Sequence, residues 1–316
     1  MSRYVMSKQP PDGWDQACEA GGRLFPSTAW QRLLEDSFDC MTVYAWDAER
    51  QGGAAISIFR AGPFRVAYLG FPVGALLGGV TDYASLVSNW QLPSGTPLPA
   101  CIRIPVSSLA PDPQLTFPAT RTPETAIADL GSWSLQSASK NIRRDVRKAA
   151  RAGLECTRAL SDEDAAAVYR LYASTITRNR GSMRYTPAYF EQLVRLSGRH
   201  EKLRVLVARR DGQPVAFNAF ALDGVHGYYL HGGMDRDARD HRPGAFLMNE
   251  AIRWVRDSGG ESFNFLSSPV DQPSLVQYKE KWGGTTRNHF TYTVRLHVAY
   301  PLFRVAEWVY RKAGWR

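Results

Sequence analysis

The chain is short of cysteine, of long apolar runs and of familiar catalytic signatures. Its 316 residues hold four cysteines. Cys18, Cys40, Cys101 and Cys156 are far apart, and no C-x-x-C pair exists. A zinc site or redox dithiol is therefore not expected, and four reduced thiols are. The most apolar uncharged run lies between Arg65 and Asp82. It falls short of the ~20 residues a membrane-spanning helix needs, and Gly70, Pro72, Gly74, Gly78 and Gly79 interrupt it. The opening residues, MSRYVMSKQPPDG, lack the apolar core of a signal peptide, so the expected compartment is the cytoplasm. No H-E-x-x-H, G-x-S-x-G or G-x-x-x-x-G-K-[ST] occurs, which removes zincin, α/β-hydrolase and P-loop readings. At 44% hydrophobic and 22% charged residues, the composition is that of a globular protein with a sizeable core. The length allows one large domain or two ordinary ones.

What the chain does have is positive charge. Lys and Arg number 39 against 30 Asp and Glu, a net charge of +9. Residues 140–158, KNIRRDVRKAARAGLECTR, hold seven basic and two acidic residues, more than half of that excess. Lys140, Arg143, Arg144, Arg147, Lys148 and Arg151 recur at spacings of three and four, which predicts one face of a helix. Ile142, Val146, Ala149 and Ala150 fall opposite, Ser137 or Ser139 can cap the start, and Gly153 suits the end. Such a face is either simply solvated or occupied by an anionic ligand; like charges along a helix repel one another and Asp145 alone offers local relief, which gives the ligand a reason to be there.

Downstream punctuation predicts a regular order. Ser161 with Asp162, Glu163 and Asp164 opens a helix to about Thr177, and Thr186-Pro187 opens another, stopped by Gly198. Strands follow at 203–209, 214–222 and 226–233, then a polar loop, a helix at about 245–257 and a strand at 262–266. A short helix at 273–282 precedes Gly283-Gly284 and a strand at 288–296. With a strand near 154–159 the order is β-α-α-β-β-β-α-β-α-β, similar to the Gcn5-related N-acetyltransferase (GNAT) fold. The first 135 residues are less regular: a helix through Trp30, Leu33 and Leu34, strands at 41–47, 53–60, 64–70 and 101–106, and a proline-rich second quarter.

Three segments resemble FemAB-like and CelD-like acyltransferases of the GNAT superfamily. They are KNIRRDVRKAARAGLE, the stretch GYYLHGGMDRDARDHRPGAFLMNEAIRWVRDSGGESFNFL, and SLVQYKEKWGG. The match covers about 137–297, and residues 14–70 fit more loosely. The resemblance implies a mixed α/β chain of tandem GNAT-like domains, the first degenerate. The expected division is 1–136, then 137–298, then a C-terminal helix at 299–316. Family members move amino acids from aminoacyl-tRNA to peptidoglycan precursors, or are acyl-CoA enzymes of surface polysaccharide and lipid pathways.

On that resemblance Lys279 sits where the family carries an aromatic-Lys pair and would stabilise an oxyanion or leaving oxygen, with Tyr278 packed against the donor. Tyr228, Tyr229 and His231 end the central strand where the sheet of this fold splits. Alternation puts Tyr229 and His231 on one face and Tyr228 on the other, so a phenol or imidazole there is a candidate proton relay. Asp235 and Asp237 are candidate bases in the next loop. The run His241–Phe246 stands where acetyltransferases place a pyrophosphate loop, but only Gly244 fits, which puts coenzyme A in doubt. Arg239 and Arg242 remain candidate phosphate ligands. Arg178, Arg180 and Arg184, with Arg147, are candidates for holding an anionic acceptor.

The expected activity is N-acyl or aminoacyl transfer to an amine of a cell-envelope or surface-polysaccharide intermediate. Acyl-CoA and aminoacyl-tRNA both stand as donors, with no metal. The alternatives are a peptidyltransferase of the peptidoglycan type, or a non-enzymatic protein that binds RNA or anionic lipid. At the C-terminus, Leu302, Phe303, Val305, Trp308, Val309 and Trp315 mix with Arg304, Arg311, Lys312 and Arg316. That pattern suits a helix packed on the sheet, and equally one resting on the inner face of an anionic membrane.

Overall fold

Turn residues and caps shape the first half of the computed structural model, which describes residues 4–49, 51–78, 83–88, 90–110, 115–179 and 181–312. Strand β1 (Val5–Ser7) precedes helices α1 (Trp14–Ala20) and α2 (Thr28–Ser37). Ser27 caps α2 by accepting the N–H of Trp30. An antiparallel meander follows, β2 (Cys40–Asp47), β3 (Gly52–Ala61) and β4 (Phe64–Leu69). Helix α3 (Tyr83–Ser88) leads to β5 (Cys101–Val106), which runs parallel to β4. Then come β6 (Ala119–Ile127), the basic helix α4 (Lys140–Ala150), β7 (Glu155–Arg158), α5 (Asp162–Arg178) and α6 (Pro187–Arg199). The remaining elements are β8 (Leu203–Arg210), β9 (Gln213–Asp223), β10 (His226–Met234), α7 (Pro243–Asp257), β11 (Ser262–Ser267), α8 (Pro273–Glu280), β12 (Thr285–Arg295) and α9 (Tyr300–Lys312).

The chain forms two units, Met1–Arg121 with Asn288–Arg316, and Thr122–Arg287. In the first unit the strand order is β1-β2-β3-β4-β5-β12. Val43, Ile56, Ile58, Ala67, Ile102 and Ile104 form its core with Leu86 of α3. In the second the order is β6-β11-β10-β9-β8-β7, with β10 parallel to β11 and antiparallel to β9. Helices α4 and α7 pack on one face, where Ile142, Val146, Met248 and Ile252 meet Phe220, Leu222 and Phe263. Helices α5 and α6 lie on the other, where Phe190 meets Phe217 edge-on at 5.9 Å.

The elements between residues 154 and 296 agree with the sequence reading to within three residues at each end, and the expected C-terminal helix at 299–316 is α9, whose expected last four residues lie outside the described ones. Strand β6 is not in that reading, because Pro123 and its threonines look like loop. Pro123 has no N–H to donate, but its carbonyl accepts the N–H of Ser268, so it fits a ladder from one side. The division also falls elsewhere than at 136 and 298. Phe290–Arg295 pair with Val106–Cys101 of β5, and Phe303 of α9 is buried among Val66, Ala100 and Cys101. Backbone pairing therefore returns the last strand and helix to the first unit.

Candidate active site

Strand β10 is paired to β11 only as far as Tyr228 and Asn264. Beyond that point β11 continues against β6, while β10 continues against β9. The two parallel strands thus open a split lined by main chain. A register shift between Tyr229 and His231 adds a bulge to β10 at its mouth: Tyr229 faces Phe220, and His231 faces Ala219. This bulge corrects the expected alternation. Tyr228 and His231 share the α5–α6 face, and Tyr229 is on the α4–α7 face.

The two glycines after His231 make the bulge possible, one on each face. A Cβ on Gly232 would stand 2.0 Å from the Tyr229 hydroxyl. A Cβ on Gly233 would stand 2.7 Å from the Leu171 carbonyl oxygen of α5. Burial, with the neighbouring Tyr278 phenol adding to it, raises the Tyr229 pKa far above the ordinary phenol value. Tyr229 therefore stays protonated, and its O–H has no acceptor among the described residues. It is a hydrogen-bond donor held at the split.

His231 lies in an aromatic nest. Its Nε2 is 2.8 Å from the Tyr189 hydroxyl, and its ring is 4.4 Å from Tyr185 and 5.6 Å from Phe190. Burial pulls its pKa down to about 3, so the imidazole is neutral at physiological pH. A group so far from the working pH is a poor proton store. His231 orients Tyr189 instead. The sequence reading did not single out Tyr185 and Tyr189, although R-Y-T-P-A-Y places them four apart across the start of α6.

Lys279 is 4% exposed. Its ammonium donates to the Leu266 carbonyl at 2.7 Å, the Ser267 carbonyl at 3.3 Å and the Ser268 hydroxyl at 2.8 Å. Desolvation lowers its pKa to about 8, against the pull of Glu124. All three donors are spent on the end of β11, where Leu266 takes a left-handed φ of 60°. The expected oxyanion role thus meets an ammonium already engaged, which ties α8 to the end of β11. Tyr278, next to it, is 36% exposed on the same helix. Trp282 is fully buried, and its carbonyl accepts the Trp133 indole N–H at 2.8 Å.

The candidate phosphate ligands gather at the start of α7. Arg242 is its N-cap, with a left-handed φ of 58°, and it pairs with Asp145 of α4 at 3.4 Å. His241 is engaged with Arg210. Pro243 has no N–H, and those of Ala245 and Phe246 both go to the Arg242 carbonyl. Gly244 is left as the one open main-chain donor of that turn among the described residues, and a Cβ there would meet nothing within 4 Å. Arg239 is exposed in the preceding 3-10 turn.

Helix α4 carries its charge as predicted. Ile142, Val146 and Ala149 are buried, Ala150 is not, and Ser139 caps the start. Lys140, Arg143, Arg144, Arg147, Lys148 and Arg151 line a groove of about 600 Å³ with Gln136 and Asn141. Arg143 donates to the Gln136 carbonyl at 3.0 Å and Arg144 is 3.9 Å from Asp145. Lys140, Arg147, Lys148 and Arg151 have no carboxylate partner among the described residues.

The four acceptor candidates do not come together. Arg147 is on the α4–α7 face. Arg178 is at the end of α5, where it donates to the Met234 carbonyl at 3.2 Å and so braces the end of β10. The Arg184 N–H donates to the Tyr172 hydroxyl at 3.3 Å, beside the aromatic nest. Arg180 lies outside the described residues. Asp235 is exposed after β10, and its carboxylate accepts the N–H of Asp237 at 3.3 Å. Among the described residues no group of three or more His, Cys, Asp and Glu could hold a metal ion.

Residues 136–280 match the family described as an acetyltransferase (GNAT) domain. No curated protein matches the chain. Among solved structures it is similar to FemX, with a TM-score of 0.65, 12% identity, and 95% of this chain and 99% of that chain covered. It is also similar to L-PGS from Bacillus licheniformis, with a TM-score of 0.60, 14% identity, and 95% and 96% covered. A tandem GNAT protein from the clavulanic acid biosynthesis pathway gives a TM-score of 0.51 at 14% identity, with 92% and 98% covered. At such identities the likeness is one of fold. Residues 136–280, which carry the split, the bulge and α7, thus match an acetyltransferase (GNAT) domain, and the chain as a whole shares its fold with FemX and with that tandem GNAT protein.

Proposed function

We propose that the second unit transfers an aminoacyl or acyl group directly to an amine of a cell-envelope intermediate. The single observation that carries this reading is the Tyr229 hydroxyl, a protonated donor with no acceptor among the described residues, held at the mouth of the β10–β11 split by the bulge. Amide formation joins the amine nitrogen to the acyl carbon as the ester oxygen or thioester sulfur leaves. The amine gives up a proton and the leaving group gains one. A hydroxyl aimed at the split can stabilise the developing oxyanion or supply that proton. The acceptor approaches on the α5–α6 side, beside Arg184 and the His231–Tyr189 pair.

Aminoacyl-tRNA is the donor the charges favour over acyl-CoA. One open N–H at the start of α7 is a poor pyrophosphate cradle, and the Arg242 guanidinium is already paired. The α4 groove, by contrast, offers four cations without carboxylate partners along a single stripe, which suits a nucleic-acid backbone. Likeness to FemX and to L-PGS is consistent with an envelope substrate. Calorimetric titration with charged tRNA and with acetyl-CoA, each at low and high salt, tests the reading. Binding of tRNA that weakens steeply with salt, with acetyl-CoA silent, is expected. Silence from both donors would overturn it, and acetyl-CoA binding alone would transfer the reading to a coenzyme A enzyme.

A further inference from the structure

Helix α9 has two apolar faces, and the fold uses only one. Phe303 is buried against Val66 and Cys101, and Glu307 engages Arg103 of β5. On the other side Leu302 is 67% exposed, Val305 61%, Trp308 58% and Val309 51%, and Val298 just before the helix is 91% exposed. Leu302, Val305 and Val309 follow helical spacing, so they form one stripe rather than scattered apolar residues.

A groove of about 480 Å³ runs along the start of the same helix, lined by Thr120, Thr293, Arg295, Tyr300 and Arg304 among others. Arg295 stacks over the Tyr300 ring at 5.2 Å, with no carboxylate partner among the described residues. Arg304 shares Glu307 with Arg103 and is 55% exposed. Hydroxyls and guanidinium groups in a concave wall are the chemistry that holds a phosphate monoanion.

We propose that α9 seats the protein on an anionic phospholipid membrane, with the stripe of Leu302, Val305 and Val309 in the acyl-chain boundary and the Arg295–Arg304 groove on a lipid phosphate. An apolar stripe with a tryptophan at its edge and cations beside it is the pattern of a helix lying in a membrane interface. Charge decides against the second obvious occupant. A two-fold contact with another copy would bring the same arginines of both chains together, and Glu307, the one acidic residue in the α9 sequence, is turned to the packed side, where it engages Arg103 and Arg304. No described helix is long and apolar enough to cross a membrane, so the contact is peripheral. This proposal does not rest on the acyl-transfer reading, because every residue in it belongs to the first unit.

The test is co-sedimentation of the full chain with phosphatidylcholine vesicles and with vesicles containing roughly one-third phosphatidylglycerol. Binding to the second and not the first is expected, weakened by salt. Leu302→Glu with Val305→Glu should lower the partition coefficient at least about tenfold, since each change removes the burial of an aliphatic side chain. Arg295→Ser should erode the preference for phosphatidylglycerol while circular dichroism stays unchanged. The Arg147→Glu and Lys148→Glu changes on α4 should leave vesicle binding intact. Three outcomes overturn the proposal: no vesicle binding, loss of binding with the α4 variant but not the α9 variant, or a lipid-free dimer that the α9 variant dissolves.

Discussion

The two units share a plan and differ in how it ends the parallel strand pair. In each, two helices precede an antiparallel meander, a helix crosses over, and a strand returns parallel to the last one: β4 with β5 in the first, β10 with β11 in the second. In the first unit β4 pairs with β3 without a register shift, and Arg103 at the end of the parallel pair bonds the Tyr68 hydroxyl at 2.8 Å and pairs with Glu307 of α9. In the second, the register shifts at the same point, and the Tyr229 hydroxyl has no acceptor among the described residues. The crossover helices differ too: α3 has six residues and α7 has 15. One unit has closed the end of its parallel pair with its own chain, and the other has kept it open. A saturated polar site is stabilising, and an unsaturated one is available for chemistry.

The largest test of that contrast is Tyr229→Phe. It should lower kcat roughly a hundredfold to a thousandfold, the usual cost of removing one oxyanion-type donor, with the melting temperature unchanged. Tyr68→Phe should leave the rate alone. A rate loss of equal size from both would show that the units do not divide the labour in this way.

Charge reversal comes next. Arg147→Glu with Arg151→Glu should cut tRNA affinity by roughly a hundredfold and flatten its salt dependence, as read by filter binding. Unchanged affinity would move the polyanion site off α4.

Lys279→Met should destabilise the protein by about 1–3 kcal/mol in denaturant unfolding, because the Leu266 and Ser267 carbonyls lose their donor. The native protein carries a pH signature from the same residue. Its folded pKa of about 8 is below the ordinary lysine value of 10.5, so the unfolded chain binds the extra proton between those limits. Stability contributed by this group therefore rises as pH climbs through that window, by about 3 kcal/mol. The Met variant should lose the slope.

The smallest effect is at low pH. His231, with a folded value near 3 against 6.5 unfolded, costs stability as pH falls below 6.5. The loss should reach about 2 kcal/mol near pH 5. His231→Gln should remove that acid sensitivity; if the acid transition is unmoved, the nest is wetter than its packing implies.

Much of the second unit was legible from its residues. Caps at Ser161 and Thr186, the turns at Asp211-Gly212 and Asp223-Gly224, and the 3–4 spacing of α4 are local signals, and each produced the element expected. Strand β6 was not legible, since only its partner β11 tells a Pro-interrupted threonine run from a loop.

The site divides along the same line. The sequence by itself determined that Tyr229 and His231 end a strand, that Gly244 opens the next helix and Lys279 falls on a short one, and that α4 has a cationic outside. The tertiary structure alone decided what each can do. One extra residue in β10 turned His231 to the opposite face from Tyr229, the end of β11 spent all three donors of Lys279, and Asp145 took Arg242. The physical reason is that helices, caps and turns answer to neighbours within four residues. The freedom of a hydroxyl, an ammonium or a guanidinium depends instead on which distant carbonyl or carboxylate reaches it first.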